Sequence, residues 1–166
     1  LGLPDVRFLD PVWRDRWRNA DYVRRQGSLD SRVAFLKKFM KVLSDSGVPL
    51  LAGTDSPTIP GLFPGPSIVD DLTLLVDAGL TPYKALATAT RTPGEFFSKF
   101  VRGVDRTGTI AVGNRADLVV VRTNPLEDLG RLRRPSGVMF RGHWLSRVEL
   151  DERMNALAGA NERRPR

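Results

Sequence analysis

Cysteine is absent from this 166-residue chain, and histidine occurs once, as His143. Without cysteine there is no disulfide, no thiolate nucleophile and no cysteine-ligated zinc site. Long apolar runs are missing too: none approaches the roughly 20 residues that a membrane span requires. The N-terminus lacks the basic, apolar and small-residue succession of a signal peptide. It also opens on Leu1 rather than methionine, which reads as truncation or processing. The compartment is therefore not legible, and a cytoplasmic location is the working expectation. No internal repeat is present.

What remains is an ordinary globular composition. Hydrophobic residues make up 41% of the chain, enough for a core, and the formal net charge is +7. The basic residues are scattered rather than striped. Arg7, Arg14, Arg16, Arg18, Arg24 and Arg25 alternate with Asp5, Asp10, Asp15 and Asp21, and Arg163, Arg164 and Arg166 lie in a tail. Single-stranded nucleic acid calls for basic and aromatic residues interleaved along one face. Nothing here has that form, so no nucleic-acid partner is expected.

The run Val48-Pro49-Leu50-Leu51-Ala52-Gly53-Thr54-Asp55-Ser56-Pro57 carries the most information. An apolar stretch ends abruptly in Gly-Thr-Asp, which is how a buried strand delivers a carboxylate to the rim of an α/β barrel. Asp55 is the first candidate for a catalytic residue. A turn or capping role is the alternative that Asp-Ser-Pro suggests. If Asp55 serves a metal, most of that site is missing from this sequence.

The flanking patterns are helical. Trp13 and Trp17 are four apart on a helix predicted over 11–25, where they should dock it onto a core. A second helix can be capped by Ser28 or Ser31. Its apolar face is Val33, Leu36, Met40 and Leu43, with Phe35, Phe39 and Val42 beside it and Lys37, Lys38 and Lys41 turned to solvent. Gly47 should end it, and a strand over 48–52 follows. The stretch 56–66, rich in proline and glycine, reads as a functional loop. Ser67 starts a helix with Ile68, Leu72, Leu75 and Val76 on one face, and Gly79 ends it. Thr81-Pro82 opens the next helix. Thr92-Pro93-Gly94-Glu95 fits a capping box opening a third.

Near Val101 the pattern turns strand-like. A short strand and turn are expected over 107–113, a buried strand over 116–121, and a hairpin about Arg141-Gly142. So few strands are marginal alone and need partners. A terminal helix is expected over 149–157, then a frayed tail.

Four motifs in one order carry a resemblance. They are Leu-Leu-Ala-Gly-Thr-Asp-Ser (50–56), Leu-Leu-Val-Asp-Ala-Gly-Leu-Thr-Pro (74–82), Ala-Leu-Ala-Thr-Ala-Thr-Arg-Thr-Pro (85–93) and Gly-Thr-Ile-Ala-Val-Gly-Asn-Arg-Ala-Asp-Leu-Val-Val-Val (108–121). Together they resemble the C-terminal part of the amidohydrolase superfamily, in its imidazolonepropionase-like and Xaa-Pro-dipeptidase-like branch. The resemblance implies an α/β fold: the C-terminal portion of a metal-dependent TIM barrel over 1–100, part of a small β-sandwich domain over 101–148, and a terminal helix and tail over 149–166. It also implies hydrolysis of a C–N bond in an amide, cyclic amide or dipeptide-like substrate by metal-activated water. Asp55 would be both a metal ligand and the proton shuttle.

The family's His-x-His, its Lys or Glu ligand and its two later histidines have no counterpart here, and would lie upstream of Leu1. One or two divalent ions, zinc first, are therefore expected in the full-length protein and not on this fragment alone, which should be inactive. The expected partners are a small-molecule substrate and the upstream half of the barrel, in cis or in trans, with homo-oligomerisation left open. The competing reading is a non-catalytic or complementing subunit that pairs with a chain carrying the histidines.

Among the other candidates, His143 and Asp117 read as structural. Asp70 and Asp71 favour a helix dipole. Arg91 and Arg115 are candidate binders of a substrate carboxylate. Val69 stands where relatives often carry histidine.

Overall fold

The computed structural model describes residues 3–20 and 27–163. A 3-10 helix, Pro4–Phe8, leads into α1, Pro11–Asn19. Asp10 caps α1 by accepting from Val12 N at 2.9 Å, and Pro11 sits in the first turn, where its missing N–H costs nothing. The part of this helix predicted beyond Ala20 falls on 21–26, outside the described residues.

The second helix, α2 (Asp30–Asp45), begins where Ser28 Oγ accepts from Asp30 N at 3.0 Å. It ends on Gly47, whose φ of 75° suits glycine. Its orientation reverses the expectation. No residue of α2 is buried, and Phe35 and Val42 are 63% and 60% exposed. The lysine side makes the contact instead. Lys37 Nζ lies 3.8 Å from the Asp77 carboxylate, and the stem of Lys41 crosses Gly79. The physical reason is that no described element covers the apolar face.

Residues 48–52 carry no regular secondary structure and join no ladder. Ala52 N donates to Thr88 O at 3.0 Å, and Leu51 is 45% exposed. A strand needs a hydrogen-bonded neighbour on at least one side, and none stands beside this segment among the described residues.

Three helices follow. They are α3 (Pro66–Asp77), α4 (Pro82–Thr88) and α5 (Arg91–Phe100). Gly79 takes φ 101° just past α3, and Thr81 Oγ1 caps α4 by accepting from Lys84 N at 3.2 Å. Leu72 of α3, Ala85 of α4 and Leu129 of a second 3-10 helix, Leu129–Arg133, form the main buried cluster. Burying a side chain such as Leu72 stabilises by roughly 1.5–3 kcal/mol.

The capping box expected at 92–95 does not form. The first helical residue of α5 is Arg91, which puts Thr92 inside the first turn, and Glu95 bonds Arg91 Nε at 2.6 Å instead of reaching back. The nearness of α4 explains the early start: Thr90 Oγ1 donates to Leu86 O at 2.9 Å, so the two helices are nearly continuous. Within α5, Gly94 is buried where the backbone of Thr107 and Gly108 approaches.

The sheet is antiparallel, in the order β1-β2-β3, with β1 Leu118–Val120, β2 Gly137–Phe140 and β3 His143–Ser146. Its hairpin turns at Arg141-Gly142 as expected. Both residues have positive φ, 49° and 81°, which suits the twist of a two-residue turn. The strand expected over 107–113 is absent. Ile110 is 89% exposed and finds no partner strand. β1 is not buried either, since β2 flanks one edge and no second layer covers it among the described residues.

Helix α6, Arg147–Arg163, outruns its expected end. A true capping box starts it. Ser146 N donates to Glu149 Oε2 at 2.8 Å, and Glu149 N donates to Ser146 Oγ at 3.3 Å. Rather than fraying after 157, it buries Ala158 and Asn161 against the first 3-10 helix, and Asn161 Nδ2 donates to Phe8 O at 3.1 Å. The whole is a helix-rich mixed α/β chain.

Candidate active site

The site is the turn that ends the 48–54 segment. Asp55 holds φ 53°, a left-handed conformation that aspartate tolerates better than most residues. Its backbone carbonyl accepts from Thr58 N at 3.1 Å and from the Thr58 hydroxyl. Thr54 Oγ1 accepts from Ser56 N at 3.2 Å and donates to Ser56 Oγ at 3.0 Å. The Asp55 side chain is exposed, and its carboxylate makes no hydrogen bond or ion pair among the described residues. It therefore does not cap a helix or close an Asx turn.

The loop after Asp55 is anchored. Trp17 Nε1 donates to Pro57 O at 2.8 Å. Trp17 is buried with Leu9 and Phe63, and its ring meets the Phe63 ring edge-on at 5.2 Å. Phe63 N in turn donates to Ser67 Oγ at 2.7 Å, which fixes the loop to the start of α3. Sequence reasoning placed Trp17 in a core but missed its bond to Pro57. The one signal for Phe63 was a lone aromatic ring in a stretch of proline and glycine.

The other candidates are mostly committed elsewhere. Asp70 pairs with Arg133, which also donates to Pro66 O at 3.4 Å. Asp71 is half-buried, and burial, then the neighbouring Asp70 charge, raises its carboxyl above the ordinary range. Val69 is 4% exposed and brings no polar atom to the rim. Arg91 bonds Glu95, and Arg115 bonds Asp117 at 2.6 Å. Asp117 is structural, as expected: it accepts from Arg141 N at 2.8 Å. That bond first, then Arg115, lowers its carboxyl below the usual range. His143 is exposed beside the hairpin turn. A groove of about 400 Å³ lies between α5 and 106–114, lined by residues that include Arg91, Lys99, Arg106 and Asn114 and none of 48–66.

The donor set decides what this chain could hold. Among the described residues no group of three or more histidine, cysteine, aspartate or glutamate side chains is placed to grip a metal. A catalytic zinc generally takes three protein ligands and an open position. Asp55 supplies one carboxylate, so these residues do not fit a complete centre by themselves. No described helix is long and apolar enough to cross a membrane.

The described residues form a helix-rich mixed α/β scaffold in which an exposed turn presents the Asp55 carboxylate. The family follows from the sequence itself. The sequence model of the amidohydrolase family matches residues 28–145, and the chain belongs to that family. Among solved structures it is similar to molinate hydrolase, with a TM-score of 0.50 and 23% identity over 84% of this chain and 31% of that one. This likeness is one of fold, and the chain spans less than a third of that structure's length. No curated protein matches the chain.

Proposed function

We propose that this chain is the C-terminal part of a metal-dependent amidohydrolase that cleaves a C–N bond in an amide, cyclic amide or dipeptide-like substrate. In this reading 48–54 is the last strand of a TIM barrel, and β1 to β3 are one share of a small sandwich domain. The observation that carries it is Asp55: an unpartnered carboxylate on an exposed left-handed turn, within the residues the family model matches.

Asp55 takes a proton from the attacking water as the oxygen adds to the carbonyl carbon. It returns that proton to the nitrogen as the C–N bond breaks. The family generally binds divalent metals. We propose zinc, one or two ions, with Asp55 giving one oxygen. The remaining ligands would come from a preceding segment of the polypeptide or from another chain. Alone, the 166 residues would be inactive.

The test is Asp55→Asn in the full-length protein. Asparagine keeps the shape and also tolerates the left-handed conformation, so the turn survives. Loss of general acid–base catalysis removes about 100-fold or more of kcat/KM on a panel of peptides and cyclic amides. Undiminished turnover by the variant refutes the role.

A second reading, a complementing subunit without catalysis of its own, is favoured by the open apolar face of α2. It requires a stable complex with a second polypeptide. A folded monomer in sedimentation velocity would sink it.

A further inference from the structure

Residues 3–20 form a strap with both ends tied. On one side α6 holds it: Asn161 Nδ2 donates to Phe8 O at 3.1 Å and to Arg7 O at 3.5 Å. The next carbonyl, Leu9 O, accepts from Arg14 Nε at 2.9 Å, which ties the first 3-10 helix to α1 within the strap. At the other end Trp17 is 4% exposed and donates to Pro57 O at 2.8 Å, across 40 residues of sequence. Pro57 lies two residues past Asp55, in the turn that Thr58 N closes onto Asp55 O. A run of contacts therefore leads from α6, through the strap, to the turn carrying Asp55.

We infer that Trp17 is a positioning residue for the Asp55 turn, its indole N–H latching Pro57 so that the carboxylate is held at one place on the rim. The inference rests on the proposed role of Asp55. Packing alone does not account for the arrangement. Ring burial against Leu9 and Phe63 would be satisfied by phenylalanine, whereas the hydrogen bond needs the indole nitrogen. Exact placement matters here because a displacement of about 1 Å can cost about 100-fold in rate.

Two variants of the full-length protein separate latch from packing. Trp17→Phe keeps a ring in the cluster and removes the donor. Leu9→Ala thins the cluster and keeps the donor. Hydrogen exchange read by mass spectrometry, with neither metal nor substrate added, should quicken over 54–66 in Trp17→Phe and stay unchanged over α3 and α4. Turnover of the best substrate from the amide panel should lose about 2- to 12-fold in kcat in Trp17→Phe, the effect of one net hydrogen bond, with KM nearly constant. Leu9→Ala should lower the melting temperature and leave kcat within about twofold.

Unchanged exchange over 54–66 in Trp17→Phe overturns the latch. Quickened exchange with kcat intact, where Asp55→Asn is dead, overturns its bearing on catalysis. If Asp55→Asn stays active, the catalytic reading fails while the exchange result still decides whether the latch exists.

Discussion

Alanine substitutions at two helical glycines should move stability in opposite directions. Gly94 lies in α5 and Gly159 in α6. In a helix interior alanine is favoured over glycine by about 0.8–1 kcal/mol, so propensity alone stabilises both variants. The surroundings differ. A Cβ on Gly159 would meet only the end of the Arg163 side chain, at 3.4 Å, and that flexible group can give way. A Cβ on Gly94 would stand 2.9 Å from the Thr107 carbonyl carbon and 3.0 Å from Gly108 Cα, and closer still to Thr107 O. Those neighbours are backbone, and Gly108 at φ 86° is itself fixed in a turn. Overpacking of this kind costs about 1–3 kcal/mol. Because the obstacle is main chain, the upper half of that range applies, and Gly94→Ala loses about 1–2 kcal/mol net. Gly159→Ala gains up to about 1 kcal/mol. Equilibrium urea denaturation of both variants in the full-length protein reads the gap. If Gly94→Ala stabilises as Gly159→Ala does, the close approach of α5 to 107–108 is wrong.

Acid should loosen the hairpin through Asp117. Its folded carboxyl titrates below the unfolded one, so the stability it confers is whole above the ordinary carboxylate range. That stability is lost as pH falls through the depressed value. Circular dichroism from pH 6 to 2 should show a steeper acid limb in the wild type than in Asp117→Asn, and equal slopes would refute this. On α2, Leu36→Ala should cost about 2–5 kcal/mol in the full-length protein if the apolar face is covered there. It should cost almost nothing in the 166-residue chain, where Leu36 is 44% exposed. A small effect in both would mean that the face stays open.

Local signals were the legible ones. Arg141-Gly142 between apolar runs specified the hairpin, and Thr81-Pro82 and Gly79 marked helix ends, because each acts within a few residues of itself. Pairing was not legible: 48–52 and 107–113 have strand-like sequences, but a ladder depends on what lies beside them. The two capping-box patterns show the same limit. Thr92 to Glu95 matches the pattern yet falls inside a helix already begun, whereas Ser146 to Glu149 forms the box. Periodicity found the apolar face of α2 but could not tell which side meets α3. At the candidate site, the end of an apolar run marked Asp55. Its left-handed backbone and the distant Trp17 brace arise from contacts no local pattern encodes.

The clasp of Asn161 on the carbonyls of Arg7 and Phe8 fastens the last described helix to the first described element. The stretch at 122–124 is exposed. A single peptide bond cleaved there would free neither piece. The β1–β2 ladder, the packing of α3 on the second 3-10 helix and the clasp itself would still join the two pieces.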